Sequence, residues 1–249
     1  MKKSLASQDY WDSFYNRMEL SDDDVPEVIS DWLHQYIPRT ENGSCFEIGC
    51  FPGRLLTTFG KLGYTLSGID LTPRVEKEFP EWLRSRGYKT GEFFREDFLK
   101  FRSEKKYSIV CSFGFIEHFT NWKDIFEKHL DMVEPGGYVV IETPNFSGLL
   151  QRFIHYFLDR ANYRRHYVPS MDPGQWKRMC ERRGFRVLHS GYLGAFQFWV
   201  DQEPRGYVRN KLFHKLLQYT PRLQKRGPGK KMYAPYCGMI AQLPKDQPK

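Results

Sequence analysis

CFEIGCFPGRLL, residues 45–56, is the stretch from which the rest of the chain is read. An apolar run ends at Gly49, a turn spans Gly49 to Gly53, and the pattern then predicts a helix over Gly53 to Leu62. A strand that turns tightly into a helix brings backbone amides to the strand's C-terminal end, where ligands of open parallel sheets sit. A dinucleotide asks for Gly-x-Gly-x-x-Gly in such a turn, because its pyrophosphate lies against exposed amides. Here the turn runs Gly49-Cys50-Phe51-Pro52-Gly53-Arg54, with the second and third glycines missing from their places. Phe51 would crowd a pyrophosphate and Pro52 removes a donor. The turn therefore disfavours NAD and FAD and suits a ligand without phosphates.

Outward from this turn, strands and helices alternate. YTLSGID predicts a strand and Val75 to Arg86 a helix, despite Pro80. EFFRED predicts a short strand, YSIVCSF a buried one, Trp122 to Met132 a helix, and GGYVVIETPN a further strand. Such units predict an α/β, Rossmann-like, doubly wound sheet of about seven mostly parallel strands, with helices on both faces. Ahead of them, Tyr10, Trp11, Phe14 and Tyr15 share one face of a short helix, and SDDDVPE opens a second. Past Asn145, Leu149, Leu150, Phe153, Ile154, Phe157 and Leu158 form an apolar helical face, which predicts ordinary core or the lining of an acceptor pocket. A helix near Asp172 to Arg183, a long strand in GFRVLHSGYLGAFQFWV and a last strand in APYCGMIAQLP complete the pattern. It reads as one domain, with N-terminal helices (1–40) over the site, a core (41–203) and a basic insertion (204–234) before the last strand.

Three acids fall where such a sheet holds its ligand. S-adenosylmethionine is phosphate-free and carries an ammonium, a ribose diol and an adenine. Glu47, ending the first strand, suits the ammonium. Asp70, ending the second, lies 23 residues on and suits the ribose diol. Asp97 beside Phe98 suits the adenine. Each has a bland reading as a cap or a surface charge, but an unpartnered carboxylate in a buried strand is costly, and a cationic ligand supplies Glu47 with a partner.

EIGCFPG, GIDLTP, REDF, IEHF, EPGGYVVIETPN and RRGF, in this order and spacing, resemble the class I S-adenosylmethionine-dependent methyltransferases. Within them the chain is similar to the small-molecule branch that includes the ubiquinone-biosynthesis O-methyltransferases. The resemblance covers residues 44–190 well and YWDSFY moderately. It implies S-adenosylmethionine as cofactor, Glu47, Gly49 and Gly53 shaping its turn, Asp70 on the ribose, Asp97 on the adenine amine with Phe98 beside it, and transfer to a small-molecule hydroxyl. The chain departs from the family at two places. Phe51 stands where a glycine is usual, predicting a wider turn or a ring aimed away from the cofactor. Gly114 stands where the quinone branch often has a glutamate, so no metal is expected.

Transfer to a hydroxyl needs a base, and histidine is the natural one near neutral pH. His118 follows the fourth strand, and His166, in RRHYVP, follows the fifth; both are candidate catalytic residues, and both have an ordinary packing reading. Glu117 reads as orienting a neighbour.

The net charge of +8 is uneven: residues 1–203 sum to −2, whereas 204–245 hold ten Lys and Arg and no acid. Within the basic stretch, YVRNKLFHKLLQY (207–219) is apolar on one face and cationic on the other. Three readings compete: a solvated surface; peripheral contact of 205–231 with an anionic membrane, or with an anionic or lipid-like small substrate; and RNA. RNA is disfavoured because Phe213 and Tyr219 fall on the apolar helix face instead of among the cations. The rival functions are an RNA or protein methyltransferase and a non-catalytic binding protein of the same fold. Scattered cysteines, no apolar run of membrane-spanning length and no leader pattern predict a reduced, cytoplasmic protein.

Overall fold

The computed structural model describes residues 4–22, 25–197 and 229–245, together with positions 211 and 215. Of the predicted helix over 207–219 only positions 211 and 215 are described, both helical, and most of the basic insertion lies outside the described residues.

The chain runs α1 (Gln8–Tyr15), α2 (Glu27–Tyr36), β1 (Ser44–Ile48), α3 (Leu56–Lys61), β2 (Thr65–Asp70), α4 (Glu78–Ser85), β3 (Thr90–Arg95), β4 (Tyr107–Phe113), α5 (Trp122–Asp131), β5 (Val133–Pro144), α6 (Leu149–Leu158), α7 (Arg160–Arg164), α8 (Pro173–Arg182), β6 (Arg186–Leu193) and β7 (Tyr236–Gln242). The seven strands form one sheet in the order β3-β2-β1-β4-β5-β7-β6. Strands β1 to β5 pair in parallel, and β7 runs antiparallel between β5 and β6. The order reverses between β1 and β4, the switch point beyond whose strand ends a ligand crevice opens.

Alternation of side chains across the strands builds a core on each face of the sheet. Phe46, Ile48, Val110, Val139 and Ile141 pack with α5 and α8 through Phe126 and Trp176. Cys45, Ile109, Cys111 and Val140 pack with α2, α3 and α4 through Leu33, Phe59 and Phe79. The prediction of helices on both faces is met. All five cysteines are buried and free.

Two local differences have clear causes. Helix α3 begins at Leu56, three residues later than predicted, because Gly53 has φ +80° and the chain is still turning there. Pro80 sits within the first turn of α4, where a missing N–H breaks no intrahelical bond. Gly53 also lies against Phe79: an added Cβ would stand 2.2 Å from the ring tip. Gly53→Ala combines a disfavoured φ with this clash and is expected to destabilise the fold by roughly 2 kcal/mol or more. Urea unfolding measures it, and a loss under about 0.5 kcal/mol would contradict the assignment.

Candidate active site

A cavity of about 410 Å³ opens at the switch point, within the usual range of roughly 300–1,000 Å³ for small-molecule sites. Its walls come from the ends of β1, β2 and β4, the loop after β3, and α1. Strand register sets these ends side by side: Ile48 pairs with Ile69, Asp70 with Arg95, and Glu47 with Cys111.

Asp70 lines this cavity and is held rigidly. Its two oxygens accept from the amides of Phe51 (3.2 Å) and Thr72 (3.0 Å). Burial pushes its carboxyl up to about 6, against the lowering effect of those amides. Asp97 and Phe98 line the cavity as well. Asp97 accepts from the amide of Leu99 (2.9 Å), and the Phe98 ring packs at 6.1 Å from Phe115 and 5.4 Å from His129. Gly49, at φ +71°, lines the cavity too; a Cβ there would meet the Phe115 ring at 2.7 Å.

Two expected cofactor residues stand back from the cavity surface. Gly53 turns the chain and packs on Phe79. Glu47 is 4% exposed, and its Oε2 has no hydrogen-bond partner among the described residues. Burial, then the charge of Asp70, holds its carboxyl well above the usual range. A buried carboxylate lacking a donor fits a cationic group such as the ammonium of an amino acid.

Phe51 does not close the crevice. Its ring packs edge-on against Tyr15 (5.0 Å) and Phe79 (5.7 Å), the Arg74 guanidinium lies 4.7 Å from its centre, and the cavity remains beside it.

The histidines differ in position. His118 lines the cavity, while His166, 4.7 Å away ring to ring, stands behind it. Each has Nδ1 on a backbone carbonyl, of Arg165 for His118 (2.8 Å) and of Asn162 for His166 (2.7 Å). A carbonyl only accepts, so Nδ1 carries the proton and Nε2 presents a lone pair. Burial pushes His118 down to about 4 and His166 well below its ordinary value, so both are neutral near pH 7. Glu117 is wholly buried, neither of its oxygens has a hydrogen-bond partner among the described residues, its Oε1 lies 3.9 Å from His118 Nε2, and burial raises its carboxyl well above the usual range. One ligand atom from each of Glu117, His118 and His166 lies within 4.8 Å of the others. Two imidazoles and a carboxylate form a donor set that a divalent cation could occupy. Where the sequence reading expected no metal, these residues are brought together from 48 positions apart.

The sequence reading placed both N-terminal helices over the site. The cavity meets Trp11, Phe14 and Tyr15 of α1, whereas α2 turns Ile29, Trp32 and Leu33 into the core. Arg74 straps α1 down, donating to the carbonyls of Tyr15 (2.7 Å) and Met18 (3.0 Å). At the other end Leu5 donates to the carbonyl of His118 (2.7 Å), and Trp11 meets the His118 ring edge-on at 5.0 Å. The aromatic stripe of α1, visible in the sequence as a helix face, is the part of the N-terminal helices that walls the cavity. The sequence reading did not single out Phe115 and Phe119, which follow β4 and line the cavity.

A methyltransferase domain model matches residues 21–190. A ubiquinone biosynthesis O-methyltransferase of Leptothrix cholodnii is 23% identical over 166 residues, 64% of this chain and 71% of that protein. One of Shewanella pealeana is 27% identical over 119 residues, 44% of this chain and 49% of that protein. Among solved structures, a SAM-dependent methyltransferase from Archaeoglobus fulgidus superposes with a TM-score of 0.54 at 20% identity, covering 94% of this chain and 99% of that one.

Proposed function

We propose, from the premise that this chain belongs to the methyltransferase domain family and draws its methyl group from S-adenosylmethionine, that the acceptor is a hydroxyl oxygen of a small molecule and that His118 receives its proton. The observation that carries this reading is one cavity of about 410 Å³ lined both by Asp70, Asp97 and Phe98 and by His118. That volume suits a cofactor with a small acceptor. The names of the two curated relatives support oxygen as the acceptor atom.

The residues divide the work by position. Asp70 and Asp97 present acceptors to the ribose hydroxyls and the adenine amine, with the Phe98 ring against the base. Glu47 supplies charge toward the ammonium from beneath the cavity surface. The cofactor, when bound, supplies a methyl group already activated by its sulfonium. Trp11, Phe14, Phe115 and Phe119 exclude water from the remaining space and orient an apolar acceptor. His118 offers the Nε2 lone pair. A weak base suffices there, because a hydroxyl oxygen that is gaining a methyl group becomes strongly acidic as the new bond forms. His166, behind it, positions the ring.

The test is methyl transfer from labelled cofactor to three acceptor sets: small aromatic and aliphatic alcohols, small amines, and total RNA. The reading expects label in the alcohols, as a methyl ether by mass. Label confined to amines or RNA would overturn it.

A further inference from the structure

Helix α6 turns large apolar side chains toward solvent. Leu149 is 74% exposed, Phe153 62%, Phe157 55%, Tyr156 40% and Leu150 38%. Positions 149, 153, 156 and 157 share one face of a helix, while Gln151, Ile154 and His155 on the opposite face are buried. The patch is continuous: Phe153 and Phe157 lie 4.7 Å apart, and the Leu150 amide donates to the carbonyl of Met232, itself 55% exposed. This exposed side is neither core nor cavity lining; of the apolar face expected from the sequence, Ile154 alone is buried. An exposed apolar patch of this kind marks a surface that meets something.

The rim says what. Arg152, Arg160, Arg164, Lys230 and Lys231 are all exposed around it. Between Pro144 and Met171 the sole acid is Asp159, which is buried and faces His155 at 3.5 Å. A second copy of the chain, docked about a two-fold axis, would set cations against cations. An anionic bilayer complements both parts of the face: the acyl boundary accepts leucine and phenylalanine, and the headgroups accept the surrounding charge. We propose that this face of α6 docks the protein on anionic lipid bilayers. The element is distinct from the 205–231 segment to which the sequence reading assigned lipid contact.

Its position gives the docking a use. The buried side of α6 backs on the cavity wall through a run of rings: His155 to Phe146 at 4.0 Å, Phe146 to His166 at 4.7 Å, and His166 to His118 at 4.7 Å. A docked α6 therefore sets the cavity close to the bilayer, where an acceptor dissolved in lipid is at hand.

The experiment is cosedimentation of the full chain with vesicles of phosphatidylcholine, with and without phosphatidylglycerol. Alongside run Leu149→Ser/Phe153→Ser/Phe157→Ser and Arg152→Gln/Arg160→Gln/Arg164→Gln. All six positions are exposed, and unchanged S-adenosylhomocysteine affinity verifies that each variant is folded. The expected result is retention of the wild type on phosphatidylglycerol vesicles, weakened about tenfold or more by either triple variant, with high salt weakening the wild type as well. Equal retention of the wild type and the apolar variant would overturn the proposal and leave lipid contact to 205–231. No retention of the wild type would also overturn it; a sedimentation mass that then falls in the apolar variant would assign the face to a second copy. Binding is read without turnover, so the outcome is independent of the acceptor assignment.

Discussion

His118→Asn is expected to lower kcat by roughly 10²- to 10⁴-fold, the usual contribution of a positioned general base, while cofactor affinity stays within about twofold. Asparagine is the informative replacement. Its side-chain amide reproduces the Nδ1–H that donates to the Arg165 carbonyl, so the loop keeps its anchor. What it removes is Nε2, the proposed proton acceptor, which lies 3.9 Å from Glu117 Oε1. His118 is held near pKa 4 by burial, so it stays in its accepting form from pH 5 to 8. The wild-type kcat profile should therefore show no histidine inflection near 6.5 and should fall only as pH approaches 4. A variant that keeps wild-type kcat would remove His118 from the chemistry.

Asp70→Ala is expected to weaken S-adenosylhomocysteine binding about 100-fold. Two hydroxyl donors to a carboxylate contribute roughly 1.5 kcal/mol or more each, and each 1.4 kcal/mol is tenfold. The change also strands the Phe51 and Thr72 amides, at about 1–3 kcal/mol apiece, so thermal stability is measured beside affinity. One term acts in the opposite direction. With its folded pKa raised to about 6 from 3.8, Asp70 adds stability while protonated, fully below pH 4, and that contribution, on the order of 3 kcal/mol, is lost as pH rises through 6. Cofactor affinity runs the other way, because the ribose hydroxyls need the ionised carboxylate: it should decline as pH falls below about 6 in the wild type. A folded Asp70→Ala protein with unchanged affinity would place the ribose elsewhere.

The turn at Gly49 to Gly53, the strand-helix alternation and the acids at successive strand ends were legible because each is local: a period, a breaker or a spacing. The same locality explains what was missed. Periodicity shows that Leu149 to Leu158 has an apolar face, but not what covers it; most of that face meets solvent. The approach of the His118 and His166 rings, and the Glu117 carboxyl beside them, depend on β5, α6 and α7 folding back across 48 residues. Gly53 was legible as a turn residue, whereas its contact with Phe79, 26 residues away, was not.

Isothermal titration of S-adenosylhomocysteine into the wild-type protein at pH 7.5 bears most directly on the crevice at the switch point. A saturable single-site heat, lost or strongly weakened when Asp70 is replaced by alanine, is the predicted result. A folded protein that gives no heat at millimolar ligand would contradict it.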